Sequence, residues 1–280
     1  MSFRLLHYSD PHFGAFDPRI ARAAVESAVE LKPDLTAVSG DFSMRGRRSE
    51  FELARSWLKE LPQPLVTIPG NHDVPGLNRL LDRFFSPFGR YREYISAIEE
   101  PALPLGSIGA LATANSSTPF GLHLDWSRGF LSPFQIHALA KFFDALPDGC
   151  LRVFGMHHPV VGSGVKERAL VSPLTLVRNF FETSKIDLLL AGHFHQSKIC
   201  LYPEEADSAR QIVVSQAPSI CSTRLKGEPN GFHLINLSQD QIGIELWRWH
   251  GDRFQPETTK TFHRTANGWE ITGAATLRRA

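Results

Sequence analysis

Apolar and polar positions along the chain fall into two alternating regimes. Short apolar runs at Leu5 to Tyr8, Leu35 to Ser39, Leu65 to Ile68, Leu151 to Met156 and Asp187 to Ala191 predict buried strands. Helical patterns separate them. Asp17-Pro18 opens the first helix with an N-cap acceptor and a proline at the first helical position, and Lys32-Pro33-Asp34 stops it after Leu31. Ser49-Glu50-Phe51-Glu52 has capping-box spacing for a second helix, striped by Leu53, Trp57 and Leu61. Ser132-Pro133-Phe134-Gln135 caps a third through about Leu146, and a fourth spans about Pro173 to Ser184. Strand, helix, strand, helix, strand up to Ile68 implies short βαβ crossovers and a mostly parallel sheet. Ligands of such sheets collect outside the carboxyl ends of the strands.

Two stretches depart from this rhythm. Residues 74–106 predict a helical excursion rich in aromatics and arginine (Phe84, Phe85, Phe88, Arg90, Tyr91, Arg92, Tyr94), after which Ser107 to Ala114 reads as a strand. From Lys198 onward the helical signals vanish. Ile199 to Tyr202, Gln211 to Ser215, Phe232 to Leu237 and Ile242 to Trp249 predict successive antiparallel strands in a region of about 198–265. The expected fold class is α/β: a β-sandwich of two sheets packed face to face, flanked by helices, with the active site at the C-terminal ends of strands. We expect one domain over residues 1–280.

Charge narrows the partners. Thirty Lys and Arg against 29 Asp and Glu leave a net charge of +1, so no overall field draws the chain to nucleic acid or an anionic membrane. No stretch approaches the roughly 18 uninterrupted apolar residues of a membrane span, and Met1-Ser2-Phe3-Arg4 carries no signal-peptide pattern. A cytoplasmic protein with no stable nucleic-acid partner is expected. Cys150, Cys200 and Cys221 are odd in number and widely spaced, which argues against a disulfide framework or thiolate metal site.

The chemistry sits where the strands stop. Asp10-Pro11-His12, Gly40-Asp41, Pro69-Gly70-Asn71-His72-Asp73, His157-His158-Pro159 and Gly192-His193-Phe194-His195 each follow one of the apolar runs. Asp10 and His12 are two apart, so in an extended segment their side chains leave on the same side; His193 and His195 have the same relation. With Asp41, Asn71 and His157 these residues form a mixed oxygen and nitrogen set without sulfur. It exceeds the four ligands of one tetrahedral zinc and suits two ions of the Mn²⁺, Fe²⁺/Fe³⁺ or Zn²⁺ kind.

These five blocks, in this order, resemble the calcineurin-like metallophosphoesterase family, whose pattern runs D-x-H, G-D, G-N-H-D, a later H, and G-H-x-H. The resemblance covers roughly residues 5–200. It implies one ion held by Asp10, His12, Asp41 and His195 and a second held by Asp41, Asn71, His157 and His193, with Asp41 bridging. It further implies in-line attack on phosphorus by a metal-bridging hydroxide, with His72 at the leaving oxygen and Asp73 orienting its ring. His158 would be second to His157 as a ligand, and face the substrate or support the centre. His123 and Arg45 are further candidate substrate contacts, although the Arg45/Arg47/Arg48 triplet reads first as a solvated face.

Within the family, Gly40-Asp41-Phe42-Ser43-Met44-Arg45-Gly46 lacks the second aspartate of the protein-phosphatase motif, and the later loop ends in Asp73 instead of glutamate. The chain is most similar to the bacterial cyclic-nucleotide and glycerophosphodiester phosphodiesterase branch. That implies hydrolysis of small phosphodiesters, with 3′,5′-cyclic nucleotides the first candidate. The alternatives are a metal-dependent nuclease or phosphomonoesterase and, in another class, an inactive scaffold of the same fold.

Overall fold

A computed structural model describes residues 2–119, 127–162, 170–204 and 210–277. Two sheets face each other. The first has strands β1 (Phe3–Tyr8), β2 (Leu35–Ser39) and β3 (Leu65–Ile68) running parallel, and continues on the other side of β1 through β12 (Gly231–Leu237), β13 (Gln241–Trp249), β14 (Phe254–Thr265) and β15 (Gly268–Thr276), all antiparallel neighbours. In the second, β11 (Ile212–Gln216), β9 (Leu188–Ala191), β7 (Leu151–Gly155) and β5 (Gly109–Thr113) are parallel, while β10 (Lys198–Tyr202) and β4 (Ala102–Leu105) close its edges antiparallel.

Alternation along each strand assigns side chains to the layers. Leu5, Leu35, Ala37 and Val66 meet Leu111, Val153, Leu188 and Leu190 between the sheets, whereas Leu6, Tyr8 and Val38 point outward to the helices. Helices α1 (Pro18–Leu31) and α2 (Arg48–Glu60) cover the first sheet through Ala24, Phe51, Ala54 and Trp57. Helices α5 (Pro133–Asp144) and α6 (Leu174–Thr183) cover the second through Ile136, Leu139, Phe143, Val177 and Phe180. Because both faces are covered, the central strands are apolar on both sides and read as continuous runs. The expected helix-flanked pair of sheets is what forms, and all five polar loops leave the carboxyl ends of parallel strands.

Several local expectations change. Helix α2 begins one residue earlier than Ser49, with Arg47 as N-cap, and Glu50 reaches back to the backbone N–H groups of Arg47 (3.1 Å) and Arg45 (2.8 Å). The predicted box is thus shifted by two residues. Leu53 is 46% exposed, because the buried face of α2 is Phe51, Ala54, Trp57 and Leu58. In the excursion, the helices are short, α3 (Leu80–Phe85) and α4 (Gly89–Tyr94), and helix ends well before residue 106 because β4 pairs with β5. The C-terminal region is not a single antiparallel set. Strand β11 lies parallel to β9 in the second sheet, and β15 extends the first sheet beyond residue 265. Among the described residues no helix is long and apolar enough to cross a membrane.

Candidate metal centre

The five loops fold tightly against one another. Asp10, His12, Asp41, His193 and His195 have φ of 50°, 50°, 54°, 73° and 58°, five of the seven non-glycine residues with positive φ among those described. Left-handed backbone costs such residues on the order of 1–2 kcal/mol each, and it persists only where surrounding contacts hold it. Asp10 and His12 are therefore brought together by two left-handed turns and not by strand alternation. Close approach demands glycine at two neighbours. A Cβ on Gly70 would lie 2.1 Å from Asp41 Oδ1, and one on Gly192 1.9 Å from Ser9 Oγ and 2.6 Å from Asp10 Oδ2.

Two groups of ligand atoms result. Asp10, His12, Asp41 and His195 form one, all buried, and His157, His158 and His193 form the other, with ligand atoms inside each group within 4.8 Å of one another. Asp41 Oδ2 stands between them, 3.5 Å from His12 Nε2 and 3.4 Å from His157 Nε2. Asp10 Oδ1 lies 3.6 Å from His12 Nε2 and 3.4 Å from His195 Nε2. On the second side Asn71 Oδ1 is 3.1 Å from His193 Nδ1. The His193-Phe194-His195 pair is thus split between the two groups.

The donors are oriented from behind. His157 Nδ1 meets the Ser39 carbonyl at 2.7 Å and His195 Nδ1 the Arg224 carbonyl at 2.9 Å, so each ring turns Nε2 inward. The His72 N–H donates to Asp41 Oδ1 at 2.8 Å, and the His193 N–H to Asp10 Oδ2 at 2.9 Å. Asp10 Oδ1, His157 Nε2 and His158 Nε2 are buried with no hydrogen-bond partner, a costly state unless a cation takes them up. Burial pushes the Asp10 carboxyl up, but the imidazoles of His195 and His12 more than offset it and hold it well below the usual carboxylate range. For Asp41, burial is likewise outweighed by the charges of His157 and His72, which keep it ionised. Burial lowers His193 to about 3 and leaves it neutral, as a metal ligand must be, whereas His157, despite its burial, is pushed up to about 9 by the Asp41 carboxylate, so a cation there would displace a proton. Two ionised carboxylates, an amide oxygen and converging imidazoles without sulfur fit a pair of transition-metal ions.

The remaining candidates divide. His72 is half-buried, with Nδ1 2.8 Å from the Met44 carbonyl and its ring edge-on to His12 at 4.9 Å. Asp73 does not orient that ring. Its carboxylate accepts the N–H groups of Ser43 (2.8 Å), Gly70 (2.9 Å) and Phe42 (3.3 Å) and the Ser43 hydroxyl (3.0 Å), so it pins two site loops together. Burial, with the Asp41 charge beside it, pushes Asp73 up to about 7. His158 is fully buried, with Nδ1 2.9 Å from the Ser116 hydroxyl, so it belongs to the cluster and not to a solvent-facing wall. Arg45 is exposed beside His72, and His123 lies outside the described residues.

One set of residues has no signal in the sequence. Between the sheets, Ser197 Oγ, His233, Ser215 Oγ, His7, Ser39 Oγ and Ser9 Oγ form a continuous run of contacts of 2.8–2.9 Å. It ends on Asp10 Oδ2, which accepts the Ser9 hydroxyl at 2.5 Å. Burial lowers His7 to about 3 and His233 well below the usual imidazole range, so both rings are neutral. An ionised Asp10 accepts only, and each other member has one proton to give; every bond then donates towards Asp10. These dipoles stabilise its negative charge.

Comparisons with known proteins bear on the family and the fold. A probable glycerophosphodiester phosphodiesterase of Arcobacter nitrofigilis is 28% identical over 178 residues, 61% of this chain and 60% of that protein. A probable cyclic nucleotide phosphodiesterase of Synechococcus sp. is 29% identical over 194 residues, 65% of each chain. In both cases the match spans less than two thirds of the relative. The purple acid phosphatase PPD1 of yellow lupin (Lupinus luteus) seeds shares the fold, with a TM-score of 0.68 at 13% identity over 93% of this chain and 53% of that one. The profile of the calcineurin-like phosphoesterase family matches residues 3–197, more than half of the chain. That match shows that this chain belongs to the calcineurin-like phosphoesterase family.

Proposed function

We propose that the protein is a dinuclear metal-dependent phosphodiesterase acting on small phosphodiesters. The observation that carries this reading is the position of Asp41 Oδ2, 3.5 Å from His12 Nε2 and 3.4 Å from His157 Nε2, between two groups of metal-competent atoms. Asp10, His12, Asp41 and His195 would hold one ion and Asp41, Asn71, His157 and His193 the other. When bound, such a pair supplies Lewis-acid activation of water and neutralises charge on the phosphoryl oxygens during in-line displacement.

The chain's own residues do the rest. His72 donates its Nδ1–H to the Met44 carbonyl and keeps that proton, so in the doubly protonated ring it is the Nε2–H that would pass to the leaving oxygen of the ester. Asp73 and Asp41 hold the His72 loop by its backbone. The names of the relatives supply two substrate classes, 3′,5′-cyclic nucleotides and glycerophosphodiesters.

The test is an assay of manganese-loaded protein on bis(p-nitrophenyl) phosphate, 3′,5′-cyclic AMP and glycerophosphocholine, with a phosphomonoester and single-stranded DNA as comparators. Chelator-sensitive turnover of a small diester is expected. Turnover of the monoester or DNA alone, or of nothing, overturns the reading.

A further inference from the structure

Beside the metal centre lies a cavity of about 830 Å³ whose inner end is Asn71 and His72. Six arginines line it, Arg45, Arg47, Arg48, Arg79, Arg83 and Arg90, and no Asp or Glu is among the described residues of its lining. A chain with 30 basic and 29 acidic residues does not gather six guanidiniums by composition alone. They come from two separate parts of the sequence, the loop into α2 with the helix's first residue and the segment from Arg79 to Arg90.

The wall is built in advance of any ligand. Buried Glu50 accepts the N–H groups of Arg45 and Arg47, which fixes the loop that carries them. Arg90 Nη1 donates to the Gly46 carbonyl, and Arg83 Nη1 to the Pro75 carbonyl at 2.6 Å. Arg48 and Arg79 pair with Glu52 (3.0 Å) and Asp82 (2.5 Å) at exposed positions, where such pairs are screened. Arg47 stands 4.0 Å from Glu50, and Arg45 has no ion pair among the described residues. A planar guanidinium fork matches the oxygens of a phosphate, and a wall that carries several of them favours an anionic group.

We infer that this basin is a subsite for a second phosphate group, carried on the arm of the diester that extends past His72. The inference rests on the phosphodiesterase reading and narrows it: the preferred substrates are small diesters bearing a terminal phosphomonoester, of which a 5′-phosphorylated dinucleotide is the simplest. A 3′,5′-cyclic mononucleotide has a single phosphate, which the metal centre takes, and is turned over with weaker binding.

Two measurements test this. The first compares kcat/KM of the manganese-loaded protein for a thymidine dinucleotide with and without a 5′-phosphate. A preference of about tenfold or more, expressed in KM, is expected for the phosphorylated form, the scale of one or two charge-assisted hydrogen bonds. That ratio should fall towards one in Arg45→Ala/Arg47→Ala, both exposed positions, and recover in part in Arg45→Lys/Arg47→Lys. Equal turnover of the two dinucleotides, or a preference that survives the double alanine variant, overturns the subsite and leaves the phosphodiesterase reading intact.

The second measurement is calorimetric titration of metal-stripped protein with thymidine 3′,5′-bisphosphate. Binding should be about tenfold or more weaker in the double alanine variant. If no diester is turned over, the proposed function fails, and this titration decides the subsite by itself: equal Kd in the wild type and the variant overturns it. An affinity that climbs steadily from dinucleotide to decanucleotide also overturns it, in favour of a polymer track.

Discussion

His72 Nδ1 lies 2.8 Å from the carbonyl oxygen of Met44, and the carbonyl can only accept. Nδ1 therefore carries a proton in either charge state of the ring, and Nε2 is the atom that can gain or lose one at the site. His72→Ala should keep its metal and its stability while turnover falls by about 10²–10⁴-fold, the usual scale for a positioned acid or base. Metal analysis beside steady-state rates checks this; loss of metal would make His72 a ligand.

Asp73 should behave differently from its neighbour. Asp73→Ala strips the acceptor from three backbone N–H groups, while the Ser43 hydroxyl keeps the His72 carbonyl at 3.0 Å. Each buried donor left unpaired costs about 1–3 kcal/mol. Urea unfolding should show a marked loss of stability in Asp73→Ala and little in His72→Ala. Similar midpoints for both would contradict the pinning role.

Asp41→Asn should weaken both ions together, because a neutral amide cannot join two cations as a carboxylate does. Titration with Mn²⁺ followed by electron paramagnetic resonance reads the two sites. Selective loss of one ion would remove Asp41 from its place between them.

Gly192→Ala tests the close approach of the loops. The added Cβ would press on Ser9 Oγ and Asp10 Oδ2, and overpacking of this kind costs about 1–3 kcal/mol. Lower stability together with weaker metal binding is expected. An unaffected metal affinity would show that Asp10 tolerates the shift.

His7 sets a pH dependence on the metal-free fold. Burial lowers it to about 3, against about 6.5 for an unfolded imidazole. Between these values the unfolded chain binds a proton that the folded one refuses. The stabilisation is complete above pH 6.5 and drains away as pH falls towards 3, at about 1.4 kcal/mol per unit. His233, also lowered by burial, adds in the same direction. His7→Gln should flatten the fall in urea midpoint between pH 6.5 and 4.5, and an unchanged slope would contradict it.

The strand ends were legible because the parallel strands are covered on both faces, so each ladder shows as an unbroken apolar run that halts in polar residues. The seven candidate ligands were readable for that reason, though their geometry was not. Asp10 and His12 meet through left-handed turns with φ of 50° at both residues, a conformation that aspartate and histidine tolerate better than most residues but adopt too rarely for the sequence to announce it. His193 and His195 look like a chelating pair yet serve opposite groups. Glu50 and Glu52 compete for one capping role, and only the backbone N–H groups of Arg45 and Arg47 decide it for Glu50. The run from Ser197 to Asp10 joins residues as far apart as His7 and Ser215, 208 positions in sequence, so it exists only after the sheets pack. The arginine basin is hidden for the same reason: Arg45 and Arg90 come together because α4 folds back on α2, with Tyr94 stacked on Phe51.

Anomalous diffraction from manganese-loaded crystals is the most direct test of the central claim. The account predicts two peaks about 3.5–4 Å apart, one among Asp10, His12 and His195, the other among Asn71, His157 and His193, with Asp41 touching both. A single peak, or manganese bound away from Asp41, would contradict it.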